Sequence, residues 1–307
     1  MEYAIGLDLG GTNIKGLAVA PDGRVLKETR LPTITSGQRS WLRNVDKVLA
    51  ELQKTANHSA TSIGIAAPGL PSPDQRSIAF MPERLPGLEK LDWEKHFGVR
   101  HPVPVLNDAQ AAMLGEVWRG AGKGCKNVVL LTLGTGVGGA AMVDGHPLRG
   151  HIGRAGHFGH ISLDPAGPLD ITGTPGSLED LIGDCTLPRR TQGRFGSTRD
   201  LVTAVRRGDR QAREIWRVSI RALAAGITSL VNALDPEVVI LGGGIVQAGR
   251  ALFQPLSKFL DEFEWRPGGA KVHIVAAKLG DRAGAYGAAW RGMQGNGPVC
   301  LLPKANK

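Results

Sequence analysis

"YAIGLDLGGTNIKG", Tyr3 to Gly16, is the stretch on which the reading of the fold turns. An apolar run ends in Asp8, Leu9 and two glycines, and a second apolar run follows at once. Short apolar runs bounded by turn residues read as buried strands. The stretch therefore predicts a strand, a sharp glycine turn and a second strand. Gly10 and Gly11 have no Cβ, so backbone N–H groups at the turn can approach phosphate oxygens. Thr12, Asn13 and Lys15 follow on the next strand. Asp8, at the strand end, suits a magnesium ion held through water. A Walker A loop needs Gly-Lys-Ser/Thr opening a helix, whereas here a hairpin follows. The plain alternative is an ordinary hairpin turn that happens to carry an aspartate.

Outward from that turn, "IKGLAVAPDGRVLKETRLP" continues as a meander through a Pro-Asp-Gly turn. "SGQRSWLRNVDKVLAELQKTA" predicts an amphipathic helix with Trp41, Leu42, Val45, Val48, Leu49 and Leu52 on one face. "SIGIAAPGL" is a buried strand stopped by Pro68-Gly69, and "VPVLNDAQAAMLGEVWRGAG" is a short strand and a helix starting near Asn107-Asp108. "NVVLLTLGTGVGGAAMVDGHPL" then repeats the opening order of strand, glycine turn, strand and turn. The repeat predicts two related α/β halves. "REIWRVSIRALAAGITSLVNAL" reads as a long helix, "PEVVILGGGIV" as a buried strand ending in glycines, and "DRAGAYGAAWRGMQ" as a small-residue helix able to pack closely.

Composition agrees with this class. Among 307 residues, 43 glycines with 42% hydrophobic content suit an α/β enzyme rich in tight turns. The formal charge of +9 permits an anionic partner such as a nucleotide or sugar phosphate. The arginines from Arg189 to Arg221 read as a solvated helical face, so no nucleic-acid partner is expected. Cys125, Cys185 and Cys300 form no short-spaced pair, so neither a disulfide framework nor a zinc ribbon is suggested. No signal-like or membrane-length apolar run occurs, so a cytoplasmic protein without a membrane partner is the expectation.

Two further glycine turns follow apolar strands. Gly134-Thr135-Gly136 offers N–H groups and a hydroxyl to a second phosphate. Gly243 and Gly244, in "VVILGGG", let an adenine ring lie against bare backbone. Asp108 sits at a predicted helix start. It reads either as a helix cap or as the general base that takes the proton of an alcohol attacking phosphorus. Asn107 beside it can bond neighbouring hydroxyls.

Taken together, "DLGGTNIKG", "GIAAPG", "LNDAQAAMLGE", "LTLGTGVGGA", "RAGHFGH", "VVILGGG" and "LGDRAGAYGAA", in this order and spanning about residues 3 to 290, resemble the ROK family of sugar kinases within the actin, Hsp70 and hexokinase superfamily. The resemblance implies an α/β fold of two lobes of the actin-like ATPase (ribonuclease H-like) type, with a ligand cleft between them that closes on the substrates. It implies Asp108 as the base that activates the sugar hydroxyl, and Asn107 with the Ala67-Pro68-Gly69 turn as sugar-holding elements. It places Asp8 and the glycines Gly10, Gly11, Gly134 and Gly136 around magnesium and phosphates, and Gly243 and Gly244 at the adenosine.

The chain departs from the family at three places. The family's Ala-Gly-Glu-X-Gly-His carries His157 where the glutamate belongs. His160 and the later Ser-Leu-Glu, ending in Glu179, are kept, which implies sugar contacts for His157, His160 and Glu179. The family's three zinc-binding cysteines have no counterpart in "AGPLDITGTPGSLEDLIG". One histidine without thiolates cannot complete a closed tetrahedral site. No structural zinc is therefore expected, and Pro165, Pro168 and Pro175 are expected to hold the loop. Arg84 stands where many relatives have asparagine. It reads as solvent-facing, or else as a reader of a charged substrate.

The resulting expectation is ATP- and magnesium-dependent phosphorylation of a hexose or amino-hexose hydroxyl. Polyphosphate as donor and a sugar-binding protein that has lost turnover are the alternatives. A sugar-sensing regulator is disfavoured, because the first strand begins at once and leaves no room for a preceding helix-turn-helix. Residues 1–106 are expected as an N-terminal lobe, with a helix at about 285–295 packing back on it. Residues 107–284 are expected as a C-terminal lobe and 296–307 as a loose tail. A homodimer is the expected assembly.

Overall fold

The structure, a computed structural model, describes residues 2–55, 60–81 and 84–295. The tail 296–307, with Cys300, lies outside the described residues. The described residues form two compact α/β units: those up to 126, those from 144 to 155 and those from 278 onward make the first, and 127–143 and 156–277 the second.

In the first unit, strands β1 (Tyr3–Leu9), β2 (Asn13–Val19) and β3 (Val25–Pro32) form an antiparallel meander. Helix α1 (Leu42–Gln53) follows and buries the predicted face, Trp41, Leu42, Val45, Val48, Leu49 and Leu52, beneath the sheet. β4 (Ala60–Ala67) returns parallel to β1. The short antiparallel pair β5 (Leu70–Pro71) and β6 (Ile78–Phe80) and the helix α2 (Trp93–Phe97) lead to β7 (Val105–Asn107), parallel to β4. The strand order is β3-β2-β1-β4-β7. Register pairs Asp8 with Ala66 and Ala67 with Asn107, so the carboxyl ends of three parallel strands come out at one edge. In open α/β sheets that edge is where ligands bind. Helix α3 (Asp108–Arg119) springs directly from it.

The second unit repeats the plan. β8 (Val128–Leu133) and β9 (Val137–Val143) are an antiparallel pair around the second glycine turn. The chain then passes β10 (His146–Pro147), in the 144–155 segment of the first unit. Helices α4 (Leu178–Ile182), α5 (Leu187–Arg190), α6 (Thr198–Arg206) and the long α7 (Arg210–Leu234) come before β11 (Val238–Gly242). β11 lies parallel to β8, as β4 does to β1. Helix α8 (Arg250–Phe263) and strand β12 (His273–Ala276), parallel to β11, close the unit. The duplicated order read from sequence is present in both sheets. Several arginines of the 189–221 run are engaged rather than merely solvated. Arg189 pairs with Asp180, Arg190 Nη1 donates to Ser219 Oγ at 2.8 Å, and Arg217 and Arg221 stack on Phe259 and Phe263.

The chain re-enters the first unit as α9 (Ala283–Gln294). This helix lies against β1 and β4 because both partners are small there. A Cβ on Gly6 would fall 1.9 Å from the Ala285 oxygen, and one on Gly64 2.0 Å from that of Ala288. The units divide differently from the expected 106/107 boundary. α3 stays with the first unit because it packs on α9 at equally bare positions, Gly115 and Gly287. The wholly buried Glu116 carboxylate adds to this by accepting the N–H groups of Lys278 (3.1 Å) and Leu279 (2.7 Å).

Candidate active site

At the strand edge of the first unit, the turn after β1 closes on itself. Gly10 N donates to Asn13 O at 3.0 Å, and the Thr33 hydroxyl donates to Gly10 O at 2.7 Å. The Gly10 N–H is thus spent inside the turn. Gly11 and Thr12 are exposed, and Asn13 opens β2, so Thr12 lies in the turn rather than on the next strand. Arg84 is exposed, as read from sequence, yet its guanidinium also stands beside this turn. A Cβ built on Gly11 would lie 3.9 Å from Arg84 Nε.

The Asp8 carboxyl is pushed up to about 7, first by burial and then by the charges of Asp108 and Asp281, while Lys15 opposes the shift. Lys15 is itself tethered to the 281 loop, donating from Nζ to Asp281 O at 3.1 Å. The first turn of α9 abuts the same carboxyl. A Cβ on Gly284 would come 2.9 Å from Asp8 Oδ2. Gly284 is a site residue that the sequence reading passed over, although it stands in "DRAGAYG" at the head of a helix.

The cap of α3 falls to Asn107 rather than Asp108. Asn107 Oδ1 accepts from Ala109 N (3.0 Å) and Gln110 N (3.4 Å), and its Nδ2 donates to Gly69 O at 3.1 Å. Asn107 is therefore buried and braces α3 against the Gly69 turn, using both lone pairs of Oδ1 and one of the two Nδ2 hydrogens. Gly69 itself has φ +103°, and a Cβ there would press on Met81 at 2.5 Å, so the turn requires glycine. Ala67 is buried at the end of β4. Asp108, the first residue of the helix, is exposed. Between the two readings for Asp108, the cap role is thus taken by its neighbour.

In the second unit, the Gly134–Gly136 turn is fixed by three backbone bonds. Gly134 N donates to Gly136 O, Asp184 N to Gly134 O and Cys185 N to Thr135 O. Glu179, in the first turn of α4, lies against it. Glu179 Oε2 accepts from Val137 N at 2.8 Å, and a Cβ on Gly136 would lie 2.3 Å from that oxygen. The structure thus brings Glu179 to the turn read as a phosphate cradle. Gly243 has φ +87°, and a Cβ there would meet Leu133 O at 2.3 Å, so it adjoins the same turn, and Gly244 is exposed beside it.

His157 and His160 flank a single helical turn, with His160 N donating to His157 O at 3.1 Å, and both rings are partly exposed. Leu178 N donates to Ile161 O at 3.0 Å, which sets this turn beside the start of α4 and Glu179. The following loop corrects the expectation of a proline brace. Pro168 and Pro175 do supply carbonyl acceptors, to Gly176 N and to the Ser162 hydroxyl. The hub, however, is Asp170, which the sequence reading missed. Its Oδ1 accepts from Thr172 N, the Thr172 hydroxyl and Thr174 N, and its Oδ2 meets His160 Nδ1 at 2.8 Å. Asp-x-Thr-x-Thr, residues 170 to 174, is a turn signature that would have found it.

Among the described residues no group of three or more His, Cys, Asp or Glu side chains is arranged to hold a metal. A single enclosed carboxylate of raised pKa, Asp8, beside a glycine cradle still fits magnesium. That ion usually keeps several waters and takes one or two carboxylates with substrate phosphates. No helix among the described residues is long and apolar enough to cross a membrane.

Paired sheets of this order, with glycine turns at the carboxyl ends of their central strands, define an α/β protein of the two-lobed actin-like ATPase class. The chain belongs to the ROK family, whose pattern it matches over residues 4–293. It is 32% identical to the glucokinase of Thermotoga maritima, over 93% of this chain and 95% of that one. The crystal structure of a ROK hexokinase from Thermus thermophilus is similar with a TM-score of 0.85 at 31% identity, covering 95% of this chain and 98% of that one. A ROK glucokinase from Streptomyces griseus, in complex with glucose and AMPPNP, is similar with a TM-score of 0.78 at 30% identity, covering 95% and 100%. The chain is a carbohydrate kinase, a phosphotransferase with an alcohol group as acceptor.

Proposed function

We propose that this kinase transfers the terminal phosphoryl group of ATP to a hydroxyl of a hexose or amino-hexose, with Asp108 as general base. The observation that carries the reading is the division of labour at the head of α3. Asn107 caps the helix, while the Asp108 carboxylate stands exposed one residue on, at the carboxyl edge of the parallel strands. The relative bound to glucose and AMPPNP supports sugar and nucleotide as the two substrates.

In this mechanism the sugar hydroxyl gives its proton to Asp108 as its oxygen bonds to phosphorus, and the bond from phosphorus to the ADP oxygen breaks. General bases of this kind contribute typically about 10²–10⁴-fold, the rest being positioning and charge stabilisation. Asn107 and the Ala67–Gly69 turn, with His157, His160 and Glu179, hold the sugar hydroxyls. The turn of Gly10, Gly11, Thr12 and Asn13, with Lys15 and with Gly134, Thr135 and Gly136, receives the phosphates, Gly10 through its bare Cα rather than its N–H, and Gly243 and Gly244 receive the adenosine. Asp8 holds the water shell of magnesium, which supplies charge neutralisation on the phosphates when bound. A dimer is the proposed assembly.

An assay of ADP release over a panel of hexoses and amino-hexoses tests the reading, with inorganic polyphosphate replacing ATP as the donor control. Asp108→Asn should lower kcat by about 10²–10⁴-fold and leave nucleotide binding in place. Turnover by Asp108→Asn equal to that of the parent would end the assignment.

A further inference from the structure

Asp170 sits at the centre of the 162–177 loop with its side chain 2% exposed, while the side chain of His160, to which it bonds, is 23% exposed. The two carboxylate oxygens have separate tasks. Oδ1 gathers Thr172 N (2.8 Å), the Thr172 hydroxyl (2.8 Å) and Thr174 N (3.0 Å). Oδ2 meets the imidazole, at 2.8 Å from Nδ1, and the carboxylate also takes a bond from the Ser177 hydroxyl. Burial works against the charge. Even so, the hydrogen bonds from His160, Ser177, Thr172 and Thr174 hold the carboxyl well below the usual carboxylate range.

An ionised carboxylate only accepts, so the ring nitrogen facing it must carry the proton. A neutral imidazole with its proton on Nδ1 has Nε2 as an acceptor. We infer that Asp170 is a positioning residue for the sugar site, fixing the His160 tautomer so that Nε2 accepts a hydrogen bond from a sugar hydroxyl. The inference rests on the sugar-binding role proposed for His160. It adds a selection rule: the site requires a donor hydroxyl at the carbon that faces His160. A deoxy analogue at that carbon leaves the lone pair unpaired, which binding sites reject strongly.

Asp170→Asn is the informative variant. The asparagine oxygen can keep the bonds to Thr172 and Thr174, while its NH₂ turns to His160. Nδ1 must then accept, and the proton moves to Nε2, so the group offered to the sugar changes from acceptor to donor. Two-bond ¹H–¹⁵N NMR correlations of the ring should report Nδ1–H in the parent and Nε2–H in Asp170→Asn. The KM for sugar should rise about 10–100-fold, the scale of one lost and one mispaired hydrogen bond. The KM for ATP should stay within about twofold. Thr172→Val loosens the same loop without touching the ring, and its sugar KM should stay within about twofold. The inference is overturned by an Nε2–H signature in the parent, by an unchanged sugar KM in an active Asp170→Asn, or by an equal rise in Thr172→Val. A parent that turns over no sugar removes the kinase reading, whereas the NMR signature still decides the tautomer.

Discussion

Asp8 holds its proton to a pH where an ordinary aspartate has long lost it, because enclosure and two neighbouring carboxylates outweigh Lys15. Between the ordinary aspartate value near 4 and about 7, the folded chain therefore binds more protons at this residue than the unfolded chain does. Where the native state binds more protons, stability falls as pH rises. The Asp8 contribution should thus be most favourable below the unfolded value and decline through that window. Above about pH 7 it should level off at a deficit on the order of 2 kcal/mol, discounted because part of the carboxyl reaches solvent. Asp8→Asn removes the titration. Without magnesium or nucleotide, the variant should melt above the parent at pH 8 and show no such gain at pH 4.5. A thermal melt series without ligand checks this. An equal difference at both pH values would show that the Asp8 proton has no part in it.

At the scale of elements, the join of α9 to the first sheet depends on absent side chains. Gly64 has the Ala288 carbonyl oxygen where its Cβ would be, at 2.0 Å, and that oxygen belongs to backbone that cannot rotate away. Gly64→Ala should force the helix off the sheet and cost about 1–3 kcal/mol, the usual range for overpacking, read as a lowered denaturant midpoint. An unchanged midpoint would mean that the helix is not seated as described. Much of this level was legible in the sequence. The face of α1 follows from the spacing of its apolar residues, and the strands follow from apolar runs stopped by glycines. What escaped were features made by residues distant in the chain. The affiliation of α3 depends on α9, some 170 residues later. The second task of Asn107, bracing the helix it caps, depends on the Gly69 carbonyl, 38 residues earlier in the chain. Asp170 escaped for a third reason. Its turn signature is local, but its meaning comes from the imidazole it faces ten residues earlier.

For the whole molecule, ligand binding and unfolding are linked. A ligand that binds only the folded chain stabilises it by RT ln(1 + [L]/Kd), about 2.7 kcal/mol at a hundredfold excess over Kd. An accepted hexose should therefore raise the melting temperature by several degrees, and AMPPNP with magnesium should add to the shift. Sugars that the folded chain does not bind should leave the temperature unmoved. A panel in which no hexose or amino-hexose shifts the melt would contradict the assigned substrate class. The chain order of the first unit carries a different consequence. Its sheet is complete by residue 107, but the helix that covers β1 and β4 is spelled last, at 283–294. During translation those two strands must wait, uncovered on that side, until residues 283–294 have left the ribosome. A nascent chain stalled before residue 283 should accordingly be held by chaperones and cut readily by protease, whatever the state of the residues between.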